Sequence, residues 1–341
     1  MPRSPSSTRS TAQLFATSGA LSRRESLGLL GGAWLAGLGG SPLAAAAMGG
    51  GALPASLAKR FEDPAWNFRV DTRIEGDLDP TRQIHGFNRG ILYAVREGEA
   101  LRPLFGYEVF SSIRLVPQPD GSIERLCREV IFYRNLETGA LMDEWTNPWT
   151  GERVKVVDVA NDPINAILTA AGPRASRNPA GAKKSPLGTP AGRRHQWYLL
   201  NANTVALEKD THLFYPSFLR PEKWPRESPG PMTRVSEFMR YSIRLEDLEN
   251  DALTHIPHTG TWTRVTPWLP WMLMDQAPGH CLYLGMFSTR RDSSDYPADV
   301  IDRLKTRYPK YLTAPEAWSE PSFSSLEHYS MEQKPAARRN P

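Results

Sequence analysis

Glu129 stands inside an apolar run, Arg128-Glu129-Val130-Ile131-Phe132-Tyr133, where a carboxylate has two uses. Stripped of water it keeps its proton to higher pH and can serve as an acid or a base. Paired with an arginine across a sheet, such as Arg114 or Arg240, it is part of the scaffold. Tyr133 and Tyr241 are the side chains that could complete an acid/base pair with it. Tyr93, Tyr107, Asn201, Asn203 and Glu237 also recur among aliphatic residues at alternate positions. With Trp268 and Trp271 they make a candidate lining for a pocket that holds a flat apolar molecule and hydrogen-bonds its polar groups. No G-x-S-x-G elbow, H-E-x-x-H pair or glycine-rich phosphate loop follows residue 47, so no metal and no cofactor is expected. His255 and His258, with two residues between them, one a proline, read as a surface turn, and His85 and His212 as lone structural residues.

Strands must position these groups. Period-two alternation marks Phe68–Ile74, Gly90–Arg96, Phe105–Val116, Ile123–Arg134, Gln196–Leu207, Arg234–Leu245, Thr259–Val265 and Cys281–Thr289. Leu141–Trp145 and Val154–Val159 add shorter ones, divided by the turn at Asn147-Pro148-Trp149-Thr150-Gly151. Asp120-Gly121 supplies the positive φ of a hairpin. One helix is expected, Pro297–Tyr308, with Val300, Ile301 and Leu304 buried. The class is therefore all-β: an antiparallel meander closing into a barrel or barrel-like sheet of calycin or lipocalin shape, with one C-terminal helix. A hollow and a filled interior are both open. Pro267-Trp268-Leu269-Pro270-Trp271-Met272 cannot pair as a strand and is too apolar for open solvent, so it is expected to cover one end. The proline-rich stretch Tyr215–Met232 is expected to pack as a loop or serve as a lid.

Residues 1–47 read as a signal: Arg23-Arg24 precedes a glycine-rich, weakly apolar segment that ends in Ala44-Ala45-Ala46-Ala47. This is the pattern of twin-arginine export, with the export machinery as partner and the periplasm or exterior as destination. Six glycines between Gly28 and Gly40 make the segment a poor spanning helix, and no stable membrane anchor is expected after cleavage. The chain carries 41 basic and 37 acidic residues; without the signal's four arginines and one glutamate it is nearly neutral, which gives no basis for nucleic-acid binding. Residues 48–64 read as a linker, 65–319 as a single β domain with a flexible loop at 172–194, and 320–341 as a tail. Cys127 and Cys281 sit in apolar strands and lack C-x-x-C spacing.

Trp-Thr-Asn-Pro-Trp-Thr-Gly-Glu at 145–152, Val-Ala-Asn-Asp-Pro-Ile-Asn at 159–165 and Trp-Thr-Arg-Val-Thr-Pro-Trp-Leu-Pro-Trp-Met at 262–272 together resemble the bacterial family catalogued as domain of unknown function 1838. The resemblance runs from about residue 65 to the end of the helix, and implies no activity and no catalytic residue. Two functions follow from the residues themselves. One is binding of a small apolar or aromatic molecule inside the barrel; the other is a cofactor-independent isomerase or lyase using Glu129 and a tyrosine. A hollow interior with Glu129 unpaired selects the enzyme, and paired carboxylates select the binder.

Overall fold

The computed structural model describes residues 55–161, 165–171, 196–317 and 323–338, all within one unit, Gly50–Pro341. In chain order the strands are β1 (Ile84–Val95), β2 (Arg102–Pro117), β3 (Ile123–Arg134), β4 (Glu144–Thr146), β5 (Arg153–Lys155), β6 (Val159–Asn161), β7 (Ala166–Leu168), β8 (Gln196–Asn201), β9 (Thr204–Pro216), β10 (Met232–Arg244), β11 (Thr259–Thr266) and β12 (His280–Arg290). Ten of them form one antiparallel sheet in the order β6-β3-β2-β1-β12-β11-β10-β9-β8, with β7 also on β3; β4 and β5 make a separate hairpin. The sheet does not close into a barrel. At the β3 edge the pairing is broken into β6 and β7, three residues each, and at the opposite edge β8 pairs with β9 and, among the described residues, with no further strand.

It nevertheless curls. Lys209 on β9 and Arg125 on β3 are six strand intervals apart, roughly 29 Å in a flat sheet. Both reach Glu75, at 3.1 and 3.8 Å. The two arms therefore face each other across a concave interior. Register assigns the inner residues: Tyr107 lies opposite Tyr133 and Gly90, Gly90 opposite Gly285, Gly285 opposite Trp262, and Trp262 opposite Met239. Gly285 is required there, because a Cβ would stand 1.9 Å from the Tyr107 hydroxyl oxygen.

Among the described residues five α-helices accompany the sheet, not one. They are α1 (Ala55–Phe61), α2 (Pro64–Glu75), α3 (Leu245–Glu249), α4 (Ala298–Arg307) and α5 (Ser325–Glu332). The expected strand at Phe68–Ile74 is the second half of α2. Asp63 caps it by accepting the Ala65 N–H at 2.9 Å, Pro64 fits the first turn, and Trp66, Val70 and Ile74 form a buried stripe at helical spacing. That stripe packs on Val205, Leu207 and Ile243 of one arm while Phe68 meets the cluster of Ile113 and Leu115 in the other, so α2 floors the interior. Helix α4 forms one residue shorter at each end than expected, burying Val300 and Leu304 over Phe110, Val130 and Phe132 on the outer face, with Ile301 half-buried. No helix among the described residues is long and apolar enough to cross a membrane.

At the other end, residues 267–272 roof the interior as expected. Pro270–Met272 is a short 3-10 turn whose Trp271 packs on Phe105, Tyr133 and Trp145 at centroid distances of 5.3, 5.3 and 5.8 Å. Asn147 clamps it by donating to the Met272 carbonyl at 3.0 Å, and its Oδ1 accepts the Trp149 N–H at 2.9 Å. The Tyr215–Met232 stretch is a packed loop after β9, with Leu219 and Trp224 buried. The segments expected to be a signal (1–47) and a flexible loop (172–194) lie outside the described residues.

Candidate functional site

Alternation along β3 turns Arg125, Cys127, Glu129, Ile131 and Tyr133 inward, and along β10 it does the same for Val235, Glu237, Met239 and Tyr241. Glu129 and Tyr241 thus share the concave face. Arg264 on β11 lies between: its Nη1 donates to Glu237 Oε1 at 2.8 Å, and its backbone is opposite that of Tyr283. Glu129 is close enough to feel Glu237, Arg125 and Arg264 electrostatically, but among the described residues nothing hydrogen-bonds or ion-pairs with its carboxylate. Burial, and then the negative charge of Glu237, push its pKa up to about 7 against the pull of the two arginines.

Space accompanies these groups. Arg264 and Glu237 retain 25% and 22% side-chain exposure although they sit on the inner face of a curled sheet. A cavity of about 60 Å³, room for roughly four water molecules, reaches Arg264. Ile131, Val235, Trp262, Trp271 and Tyr283 line it from the sheet and the roof, and Tyr329 of α5 from outside. Ile131 is the next inward residue after Glu129 on β3, so the carboxylate continues this wall toward the floor. Above it, Tyr133 and Tyr283 share a 3.4 Å hydroxyl contact, and burial pushes the pKa of both far above the usual phenol range. These phenols stay protonated at neutral pH and can donate hydrogen bonds; neither is a base.

Toward the floor lies a second charged group. Lys209 Nζ contacts Asp71 and Glu75 of α2 and lies 5.0 Å from the Tyr241 ring centroid. The Tyr241 hydroxyl contacts Met239 Sδ at 3.6 Å, so this tyrosine belongs to the floor. Tyr107 donates to Asn88 Oδ1 at 3.3 Å and packs on Trp262 and Tyr283.

Glu129, Glu237, Tyr107, Tyr133, Tyr241, Trp268 and Trp271 therefore belong to one interior, and three expected residues do not. Tyr93 faces outward: Leu92 and Ala94 are the inward residues of β1, and a register shift falls between Leu92 and Tyr93. Asn201 ends β8 and Asn203 lies in the turn to β9, both exposed, and Asn201 Oδ1 accepts the Asn203 N–H at 2.9 Å. Arg114 and Arg240 lie on the outer face, bonded to the Pro80 carbonyl and Glu208, and cannot reach Glu129. His255 and His258 are buried rather than on a surface turn. His255 Nδ1 meets the Arg73 and Gly76 carbonyls and its Nε2 meets Thr289, all at 3.0 Å. No group of metal-binding side chains occurs among the described residues, and the two cysteines are buried and unlinked.

Arg125, Lys209, Arg264, Trp262 and Tyr283 complete the interior and escaped the sequence reading. A signal was present for the first three: each is the lone cation at the inward phase of its strand.

Among known proteins, a family model described as "Protein of unknown function (DUF1838)" matches residues 82–333. No curated protein matches the chain.

Proposed function

The chain belongs to that family of unknown function, DUF1838, and from its interior we propose a cofactor-independent proton-transfer enzyme of isomerase or lyase type, with Glu129 as the group that takes and returns the proton. The observation that carries this is the carboxylate without a partner among the described residues, one inward position along β3 from Ile131, which lines the cavity. An ion-paired carboxylate is a poor base; one with a pKa of about 7 is half ionised near neutrality, where general acid and base catalysis are both effective. Arg264 is placed to hold the reacting molecule, and Trp262, Trp271 and Tyr283 to wall it in. The tyrosines contribute hydrogen bonds and shape. Simple binding of a small apolar molecule is the second reading, favoured by the same aromatic wall.

Two measurements separate the readings. Carboxyl carbon NMR should follow Glu129 through a transition near pH 7, and the protein should exchange carbon-bound protons of a panel of small carbon acids into D2O. The Glu129→Gln variant should bind but not exchange. Titration of Glu129 near the ordinary glutamate value, or exchange that survives the substitution, overturns the enzyme reading.

We also propose export by the twin-arginine route, supported by Arg23-Arg24 and the small-residue run that ends before Met48. Replacing both arginines by lysine should leave the precursor in the cytoplasm; unchanged export would remove this assignment.

A further inference from the structure

Which molecule the interior accepts is constrained by charge. Asp71, Lys209, Glu75 and Arg125 form a chain of contacts along the floor, and Glu129, Glu237 and Arg264 continue it toward the cavity. Among these seven groups that is four carboxylates against three cations, one excess negative charge when all are ionised, and Asp158 and Glu332 of the cavity's own lining are carboxylates too. A carboxylate or phosphate ligand on Arg264 would add to it next to Glu237, which Arg264 already holds at 2.8 Å, and like charges so close repel strongly in a low-dielectric interior. Arg264 nevertheless has donors to give. Among the described residues it makes one side-chain hydrogen bond, to Glu237, while a planar guanidinium carries five N–H groups, and it lines the cavity. A fixed cation with free donors, inside a region that disfavours anions, fits a neutral oxygen that becomes negative only during reaction.

Resting on the proton-transfer reading above, we propose that the site takes a small uncharged carbonyl compound, with Arg264 donating to the carbonyl oxygen and Glu129 moving a proton between two carbons next to the carbonyl system. The ionised carboxylate takes a proton from the carbon between the carbonyl and a β,γ double bond. The C–H electron pair forms the new carbon–carbon π bond, and the carbonyl π pair moves onto oxygen as a dienolate held by Arg264. Glu129 then returns the proton at the γ carbon, giving the conjugated isomer and regenerating the carboxylate. No oxidant, reductant or other reactant is consumed. The walls suit such a molecule: Ile131, Val235, Trp262 and Trp271 offer apolar surface and aromatic faces to its carbon skeleton.

The test uses the full chain with three probes: phenol as a mimic of the dienolate, benzoate as an anion of similar size, and cyclohex-3-enone as substrate. Phenol should bind measurably and at least tenfold more weakly to Arg264→Gln, benzoate should bind more weakly than phenol, and conversion of cyclohex-3-enone to cyclohex-2-enone should be lost in Glu129→Gln with phenol binding kept. Should Arg264→Gln fail to fold, Arg264→Lys keeps the charge without the fork and should still weaken phenol several-fold. Benzoate binding tighter than phenol overturns the neutral-substrate inference alone. Phenol binding indifferent to Arg264 overturns its role, and conversion that persists in Glu129→Gln overturns the proton-transfer reading beneath. Absence of both binding and conversion overturns the proposal entire.

Discussion

Two groups of charged side chains occupy the same concave face, and they are finished in opposite ways. At the floor, Lys209 is 3% exposed and fully engaged, with two carboxylates from α2 and the face of Tyr241 around it. One layer higher, Glu129 is half-buried and has two arginines within electrostatic reach, but no hydrogen bond or ion pair among the described residues. Buried polar networks stabilise and specify a fold only when their members are satisfied; one left incomplete costs stability. The first group ties a helix to a sheet, and the second has been left incomplete beside a cavity.

The largest effect of breaking this arrangement is expected at the roof. Trp271 is 2% exposed and packs against three aromatic rings, so Trp271→Ala should cost about 3–5 kcal/mol in a denaturant unfolding experiment. Its core packing makes stability, rather than ligand retention alone, the property that falls. Lys209→Met comes next. It takes one cation away from Asp71 and Glu75, and because both carboxylates are about a quarter exposed and Glu75 keeps Arg125 at 3.8 Å, the loss should fall near the low end of the range for broken buried pairs, about 3 kcal/mol.

Removing charge from Glu129 should act in the other direction. Its folded pKa, raised to about 7, exceeds the unfolded value, so between those values the folded state binds more protons and stability falls as pH rises. Below the ordinary glutamate pKa both states are protonated and the penalty vanishes; above pH 7 it is fully present, on the order of 3 kcal/mol. Glu129→Gln should therefore match the parent protein near pH 4 and be more stable than it at pH 8, by melting curves at the two pH values, while proton exchange is lost. A variant less stable at pH 8 would mean that Glu129 has a partner in solution and belongs with the floor group.

Much of this interior was legible because the side-chain period of a strand is two. Once Glu129 and Tyr133 were in phase on β3, and Glu237 and Tyr241 on β10, only pairing register was needed to put them on one face. Tyr93 failed because both faces of β1 are apolar: Ile91, Tyr93 and Val95 alternate as cleanly as Leu92 and Ala94. Helix α2 failed because Phe68–Ile74 satisfies both periods, and the deciding Asp63-Pro64 lies upstream. Asn201 and Asn203 kept strand phase through what is a two-residue turn. The arginine of the site was hidden for a different reason. Arg264 meets Glu237 as its register partner on the neighbouring strand, but its approach to Glu129 depends on the curl of the sheet, which brings β3 toward β10, and no local pattern records that.

The smallest expected effect sharpens the same comparison by separating Glu129 from the tyrosine on its own strand. Tyr133 is four residues away, about 13 Å along the strand, too far for both side chains to work on opposite sides of one small molecule. Its hydroxyl makes a long contact, 3.4 Å, with Tyr283, inside a cluster otherwise held by ring packing. Tyr133→Phe keeps the ring and removes only that contact, so the stability loss should stay at about 1 kcal/mol or less. The Glu129 transition near pH 7 should not move, because the phenol is uncharged on both sides of it. Carboxyl NMR of the variant checks this directly: a shifted Glu129 titration would mean that the tyrosine and the carboxylate are coupled after all, and that the two layers of the interior act as one.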